Sequence, residues 1–384
     1  MTFSRRQYVL GMGSALLVGC GGGGGSVGVN TASGGLSQNG PGNNADFSGG
    51  NNLLSGGNDI FAGNGSAGNA GGDATAVLFR PYNLIVDETG ALYVSENQGH
   101  SIKKIGLDSN IVLWAGNSDN PGNADGYRTA ATFSQPSGMA IDLSGNIYIA
   151  DAASHVIRQI DTRGQVSTLA GRVNVSGADD YTGTAATFYA PNGLAYDGQG
   201  QLYVADSNNY VIRKIDLRTK AVSTVAGELG NPNYGYSDGT GTAAQFYSPI
   251  ALAFNPRSPN KLFVTDSEAC TIRQIDLTSL AVTTLAGQAG NLDYADGTGT
   301  DALFQNPNGI ALDGQGNLYI ADTDNLAVRV LNVNTRVVRT LLLPNDLALA
   351  TSRNFLQSSV AVDGSGHLYV ADLGGGYIRR ISLA

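Results

Sequence analysis

Short apolar runs of about five residues recur along most of the chain, alternating with polar positions and bounded by glycine, asparagine or aspartate. The stretch from Phe188 to Gly227, FYAPNGLAYDGQGQLYVADSNNYVIRKIDLRTKAVSTVAG, shows the unit. Its pattern predicts four strands: Gly193–Asp197, Leu202–Asp206, Val211–Ile215 and Val222–Ala226. Gly, Asn and Asp fill the gaps, where positive φ or side-chain-to-backbone turns are needed. The second run returns as LYVSE (92–96), IYIAD (147–151), LYVAD (202–206), LFVTD (262–266), LYIAD (318–322) and LYVAD (368–372). The ends of these runs lie 55, 55, 60, 56 and 50 residues apart.

A lone four-stranded sheet cannot bury both faces, whereas sheets stacked radially can, so units at this spacing predict the blades of a β-propeller. The columns carry more than hydrophobicity. F-x-x-P-x-G-x-A-x-D, then G-x-x-Y-V-A-D, then N-x-x-I-R-x-I runs through FSQPSGMAID (133–142), FYAPNGLAYD (188–197) and FQNPNGIALD (304–313). This pattern resembles the NHL repeat. The resemblance covers roughly residues 58–384 and implies an all-β fold, a six-bladed β-propeller. Departures fall in the glycine column, where repeat one has Asn83 and repeat four has Ala251, while FLQSSVAVD (355–363) lacks both Pro and Gly. All the substitutes are small, which suits a column facing a crowded centre.

Repeat six stops after its third strand, at Ile381-Ser382-Leu383-Ala384. Upstream of repeat one, Ile60-Phe61-Ala62-Gly63 matches the fourth-strand ending TLAG (168–171). The segment 58–63 is therefore expected to complete the last blade, removing two exposed strand edges.

The first residues read differently. MTFSRRQYVLGMGSALLVGC has a basic start and an apolar stretch, Tyr8–Gly19, too short to span a bilayer, which predicts a removable export signal over 1–19. Ser4-Arg5-Arg6-Gln7-Tyr8-Val9 resembles a twin-arginine motif, and Leu17-Val18-Gly19-Cys20 resembles a bacterial lipobox. The lipobox implies cleavage before Cys20 and lipid on its sulfur, hence an exported bacterial lipoprotein facing the periplasm or the surface. Gly21, where an inner-membrane retention aspartate would stand, points to the outer membrane. Residues 20–57 are Gly-, Ser- and Asn-rich, and as a flexible tether would reach about 35 Å. The propeller domain is assigned to 58–384. With Cys20 lipidated, Cys270 has no partner and the core alone must hold the fold.

Formal charge is −9, and without the leader's Arg5 and Arg6 it becomes −11, with 20 basic against 31 acidic residues. An acidic surface repels phosphate backbones, so no nucleic-acid partner is expected, including the RNA bound by some animal NHL proteins. The chain is expected to be a monomer without cofactors.

In a propeller the fourth-to-first and second-to-third strand connections share one face. Here the former are long, at 117–132, 172–187, 228–245 and 288–303, and function is assigned to that face. These loops share a tail ending in phenylalanine, as in SDGTGTAAQF (237–246) and ADGTGTDALF (295–304). One or two carboxylates per loop, such as Asp293 and Asp296, are too few for calcium, so a turn packing its phenylalanine between blades is expected. The last such loop, LPNDLALATSRNF (343–355), departs from the pattern. Tyr127, Tyr181, Tyr234, Tyr236 and Tyr294 lie in the long loops beside Asn and Asp, a pairing that suits glycans or peptides, although tyrosines can also pack loop on loop. The channel mouth should be lined by Tyr82, Ser137, Asn192, Ile250, Asn308 and Ser358, each just after the proline position.

One acid and one base repeat per blade: Glu96, Asp151, Asp206, Asp266, Asp322 and Asp372, with Lys103, Arg158, Arg213, Arg273, Arg329 and Arg379. Such regularity is expected of scaffold, with each acid capping its turn or facing its base. Catalytic groups are not assigned. The lyase domain of peptide-amidating enzymes resembles this fold and holds zinc with histidines, but His100 and His155 fall on the long-loop side and His367 on the other. There is no GxSxG motif, and Cys270 stands in a variable column. The expectation is a lipid-anchored binding or scaffold module for an envelope protein or glycan, since NHL propellers are mostly interaction platforms. Its rival is a metal-dependent, lactonase-like hydrolase or lyase with a site in the channel.

Overall fold

A computed structural model describes residues 54–63, 78–229, 234–254, 260–342 and 357–383. The leader, Cys20, most of the tether and the whole 343–355 loop lie outside the described residues. Six antiparallel sheets form the blades, the first five spanning 81–116, 136–170, 191–226, 249–286 and 307–342. The protein is thus an all-β, six-bladed propeller. In blade 3, Pro191–Tyr196 is innermost, followed outward by Gln201–Asp206, Val211–Asp216 and Val222–Ala226, each hydrogen-bonded to the next.

Blade 6 takes three strands from the C-terminal end, Gln357–Val362, His367–Asp372 and Tyr377–Leu383, and its outer strand from Leu54–Ala62. Ile60 pairs with Arg379 and Ala62 with Ile378, the register in which Thr224 pairs with Arg213 and Ala226 with Ile212 in blade 3. Gly63 then turns with φ 91°, matching 95° at Gly227. A Cβ at Gly227 would lie 2.6 Å from the Tyr210 carbonyl, so the column needs glycine for space as well as for φ. The expected closure is what the fold uses.

The interior consists of six apolar clusters, one at each junction between neighbouring blades. Strand alternation sends successive side chains to opposite faces, so each blade feeds two junctions. Phe133, Phe188, Phe246 and Phe304, which end the long loops, are all buried there. Each contributes on the order of 2–3 kcal/mol of transfer free energy, which anchors the loop to the ring.

Candidate functional site

The long loops do two things before reaching their phenylalanines. Gly126–Tyr127, Gly239–Thr240 and Gly297–Thr298 each add a short fifth strand to the outer edge of blades 2, 4 and 5. In blade 3 the bridge between Thr182 and Ala221 does the same. A bare edge is thereby covered. The aspartate just before each of these segments or bridges, Asp125, Asp180, Asp238 or Asp296, then meets an arginine of the blade's third strand.

Arg213 shows the arrangement. Its guanidinium donates to Asp206 at 2.9 Å, to Asp180 at 2.6 Å and to the carbonyls of Thr187 and Asp179, and it lies 5.2 Å over the Phe188 ring. Arg273 and Arg329 repeat this with Asp266 and Asp238, and with Asp322 and Asp296. Arg158 holds Asp125 at 2.8 Å and Asp151 at 3.7 Å. The inner acids are fully buried and also cap the loop ends, as where Asp206 accepts from Tyr189 N–H at 2.7 Å. They are scaffold, not an acidic ring at the channel mouth, and they cap the chain 16–19 residues upstream more than their own turns. Burial raises the Asp206 and Asp266 carboxyls to about 6 against the pull of their arginines. At both carboxyls desolvation by burial outweighs the attraction of the arginine and the hydrogen bonds they accept.

At the channel mouth the structure brings Tyr82 and Asn192 into contact. The Asn192 amide donates to the Tyr82 hydroxyl at 3.0 Å, joining blade 1 to blade 3 across the opening. Burial pushes the Tyr82 phenol up. Below it Asn83 bridges blades 6 and 2, donating to Ser359 Oγ at 3.1 Å and accepting from Met139 N–H at 3.0 Å. The Asn83 departure from the glycine column is therefore a crosslink. At Gly193 the inner strands touch, since a Cβ there would lie 2.5 Å from the Ile250 carbonyl. Ser137 is buried and accepts from Asn97; Asn308 bonds Ser267 and Thr323; Ser358 donates to the Pro81 carbonyl at 2.8 Å. The Tyr82–Asn192 pair thus spans the channel mouth on this face. A cavity of about 250 Å³ lies further along, walled by the inner strands from Asn83 to Val86 and their counterparts.

The three histidines stay apart. His100 Nδ1 lies 2.5 Å from the Ser134 carbonyl, His155 Nδ1 accepts from Ala190 N–H, and His367 pairs with Asp363. Among the described residues no three His, Cys, Asp or Glu side chains form a set that could hold a metal ion.

All five loop tyrosines are exposed, at 41 to 60%. They do not form one site. Tyr127 and Tyr181 lie on the outer edges of blades 2 and 3, beside Gln165 and Val222. Tyr294 bonds Thr340 at 2.6 Å and lies near Arg329 in blade 5. Only Tyr234 enters an aromatic cluster, stacked on Tyr247 at 4.2 Å and 10° and edge-on to Tyr210 at 6.1 Å. A Tyr247 hydrogen bond holds the half-buried Glu268, whose carboxyl burial raises. Tyr247 and Glu268 were missed in the sequence because neither stands out in its column, where blade 3 has Tyr189 and blade 5 has Asp324.

Residues 188–215 and 304–331 match the family model of the NHL repeat. It is similar to NHL repeat-containing protein 2 of Homo sapiens, 29% identical, with 69% of this chain and 48% of that protein covered. The chain thus spans about half the length of that relative. Among solved structures it resembles a protein of unknown function from Bacteroides thetaiotaomicron, with TM-score 0.63 and 17% identity over 85% of this chain and 76% of that one. It also resembles an auxiliary nutrient binding protein from Bacteroides ovatus, with TM-score 0.60 and 14% identity over 85% and 76%. At these identities the likeness concerns the fold.

Proposed function

We propose that the protein is a non-catalytic binding module, tethered by lipid on Cys20 to the cell envelope and presenting its long-loop side to an envelope partner. The observation that carries this reading is the division of labour in the loops. Their aspartates and phenylalanines are consumed in holding the blades, while five tyrosines in the same loops keep much of their surface exposed. Large amphipathic rings on rigid supports bind at low entropic cost.

Two measurements test it. Envelope extract is passed over the full chain and over a variant with Tyr127, Tyr181, Tyr234, Tyr236 and Tyr294 all changed to Ser. A component held by the first and released by the second supports the reading; equal retention, or none, overturns it. For the anchor, Cys20→Ser should move the protein from the membrane to the soluble fraction and abolish incorporation of labelled fatty acid. Unchanged labelling would reject lipidation.

A further inference from the structure

The channel cavity of about 250 Å³ begins beneath the Tyr82–Asn192 pair and runs to the other end of the six inner strands. There its wall includes Val86, Ile141, Tyr196, Phe254, Leu312 and Val362, all apolar or aromatic and all half-buried. One position earlier stand Ile85 and five alanines, whose small side chains leave the space. The rim beyond this wall is acidic. Five of the six turns from first to second strand open with aspartate, at Asp87, Asp142, Asp197, Asp313 and Asp363. The blade 4 turn, with Asn255 and Arg257, lies outside the described residues. Asp87 lies 3.7 Å from Lys104, and Asp363 pairs with His367. Among the described residues no cation pairs with Asp142, Asp197 or Asp313. Two of these charges reach the cavity wall from different blades: after burial, Asp142 and Asp197 are what push the Tyr196 phenol up.

We propose that this end of the channel binds an organic cation, an alkyl- or arylammonium that enters from the face opposite the long loops. The site is separate from the long-loop face and does not depend on it. A cavity of 150 Å³ holds a benzene ring, so this one takes a body on the order of ten heavy atoms. Each part of such a ligand answers to a part of the wall. The apolar side chains select an apolar body. A cleft with low-dielectric walls and a rim of one charge concentrates its potential, which draws in a cation and repels a carboxylate or phosphate. The Tyr196 and Phe254 rings add the attraction of an aromatic face for a cation. A bare metal ion does not fit, because the aspartate oxygens are engaged in their own turns. Asp197 accepts from the Gln199 and Gln201 N–H groups, and Asp142 from the Ser144 and Asn146 N–H groups and the Tyr148 hydroxyl. Such carboxylates lend charge without the set of free oxygens that a metal shell requires.

The test is calorimetric titration of the full chain at low salt with hexyltrimethylammonium, octanoate and octanol, three probes of similar size and different charge. The cation should bind saturably and at least tenfold more tightly than either of the others. Asp142→Asn combined with Asp197→Asn keeps an acceptor in each turn and should weaken the cation tenfold or more while leaving octanol unchanged. Phe254→Leu should weaken the cation threefold or more. Asp161→Asn, in an outer turn of the same face, should bind as the parent does, and melting curves confirm that each variant is folded. No saturable binding of the cation, equal binding of the three probes, or a cation affinity indifferent to the paired aspartate substitutions would overturn the proposal. So would an equal loss in Asp161→Asn, which would show general attraction to an acidic face and no site.

Discussion

Blades 1 and 3 solve the same problem with different cations. In blade 3 a guanidinium reaches two carboxylates and two carbonyls and rests on a phenylalanine ring. In blade 1 the cation is Lys103, whose ammonium stands 3.8 Å from Glu96 with both side chains fully buried. Burial lowers the Lys103 amine and raises the Glu96 carboxyl, the signature of a pair whose desolvation is only partly offset. The difference teaches what the arginine is for. A planar fork can tie a strand, a strand end and a loop together at once, whereas an ammonium is a single point of charge. The four blades with arginine forks, 2 to 5, are those whose loops carry the aspartate and the outer-edge segment or bridge.

The largest test of this contrast is Arg213→Ala, which strands a buried carboxylate and should cost about 3–5 kcal/mol in chemical denaturation. Arg213→Lys, which transplants the blade 1 solution, should cost about 1–3 kcal/mol because one ammonium cannot serve both aspartates. A lysine variant as stable as the parent would remove the distinction.

Next in size is a pH effect. Asp206 sits at about 6 in the fold, against about 3.9 when unfolded, so the native state holds its proton longer. Its stabilising contribution is therefore complete below pH 4 and lost as pH rises through 6. Relative to Asp206→Asn, the parent should lose up to about 3 kcal/mol of advantage between pH 4 and pH 7, and a constant gap would refute the shift. Asp216, half-buried at a hairpin and lowered to about 2 first by the Thr219 N–H, has the opposite sign. Its contribution is present above pH 4 and fades as pH falls towards 2, so Asp216→Asn should matter least in acid.

The smallest expected effect is at the channel mouth. Tyr82→Phe removes one hydrogen bond to Asn192 and should cost about 1 kcal/mol, read as a small drop in melting temperature. A loss several times larger would mean that the Tyr82–Asn192 pair, like the arginine forks, holds blades together.

The strands, their spacing and the closure by Ile60–Gly63 were legible because each rests on local alternation or on a column repeated in the chain. The second carboxylate of each fork was not. Asp180 lies 33 residues from Arg213, in a loop that read as a turn with too few acids for calcium. Tyr82 and Asn192 were both named as mouth residues, but 110 residues separate them, and no strand pattern says that they meet.

By itself the amino-acid sequence determined the blade, because strand period, turn chemistry and packing columns are properties of neighbours along the chain. Tertiary structure alone decided which groups would be used up and which left free. Ring closure brings six near-identical units around one axis, so a side chain's partner is set by the adjacent blade. That is why five similar loop tyrosines end in different places, and why, of these five, only Tyr234 met another aromatic ring.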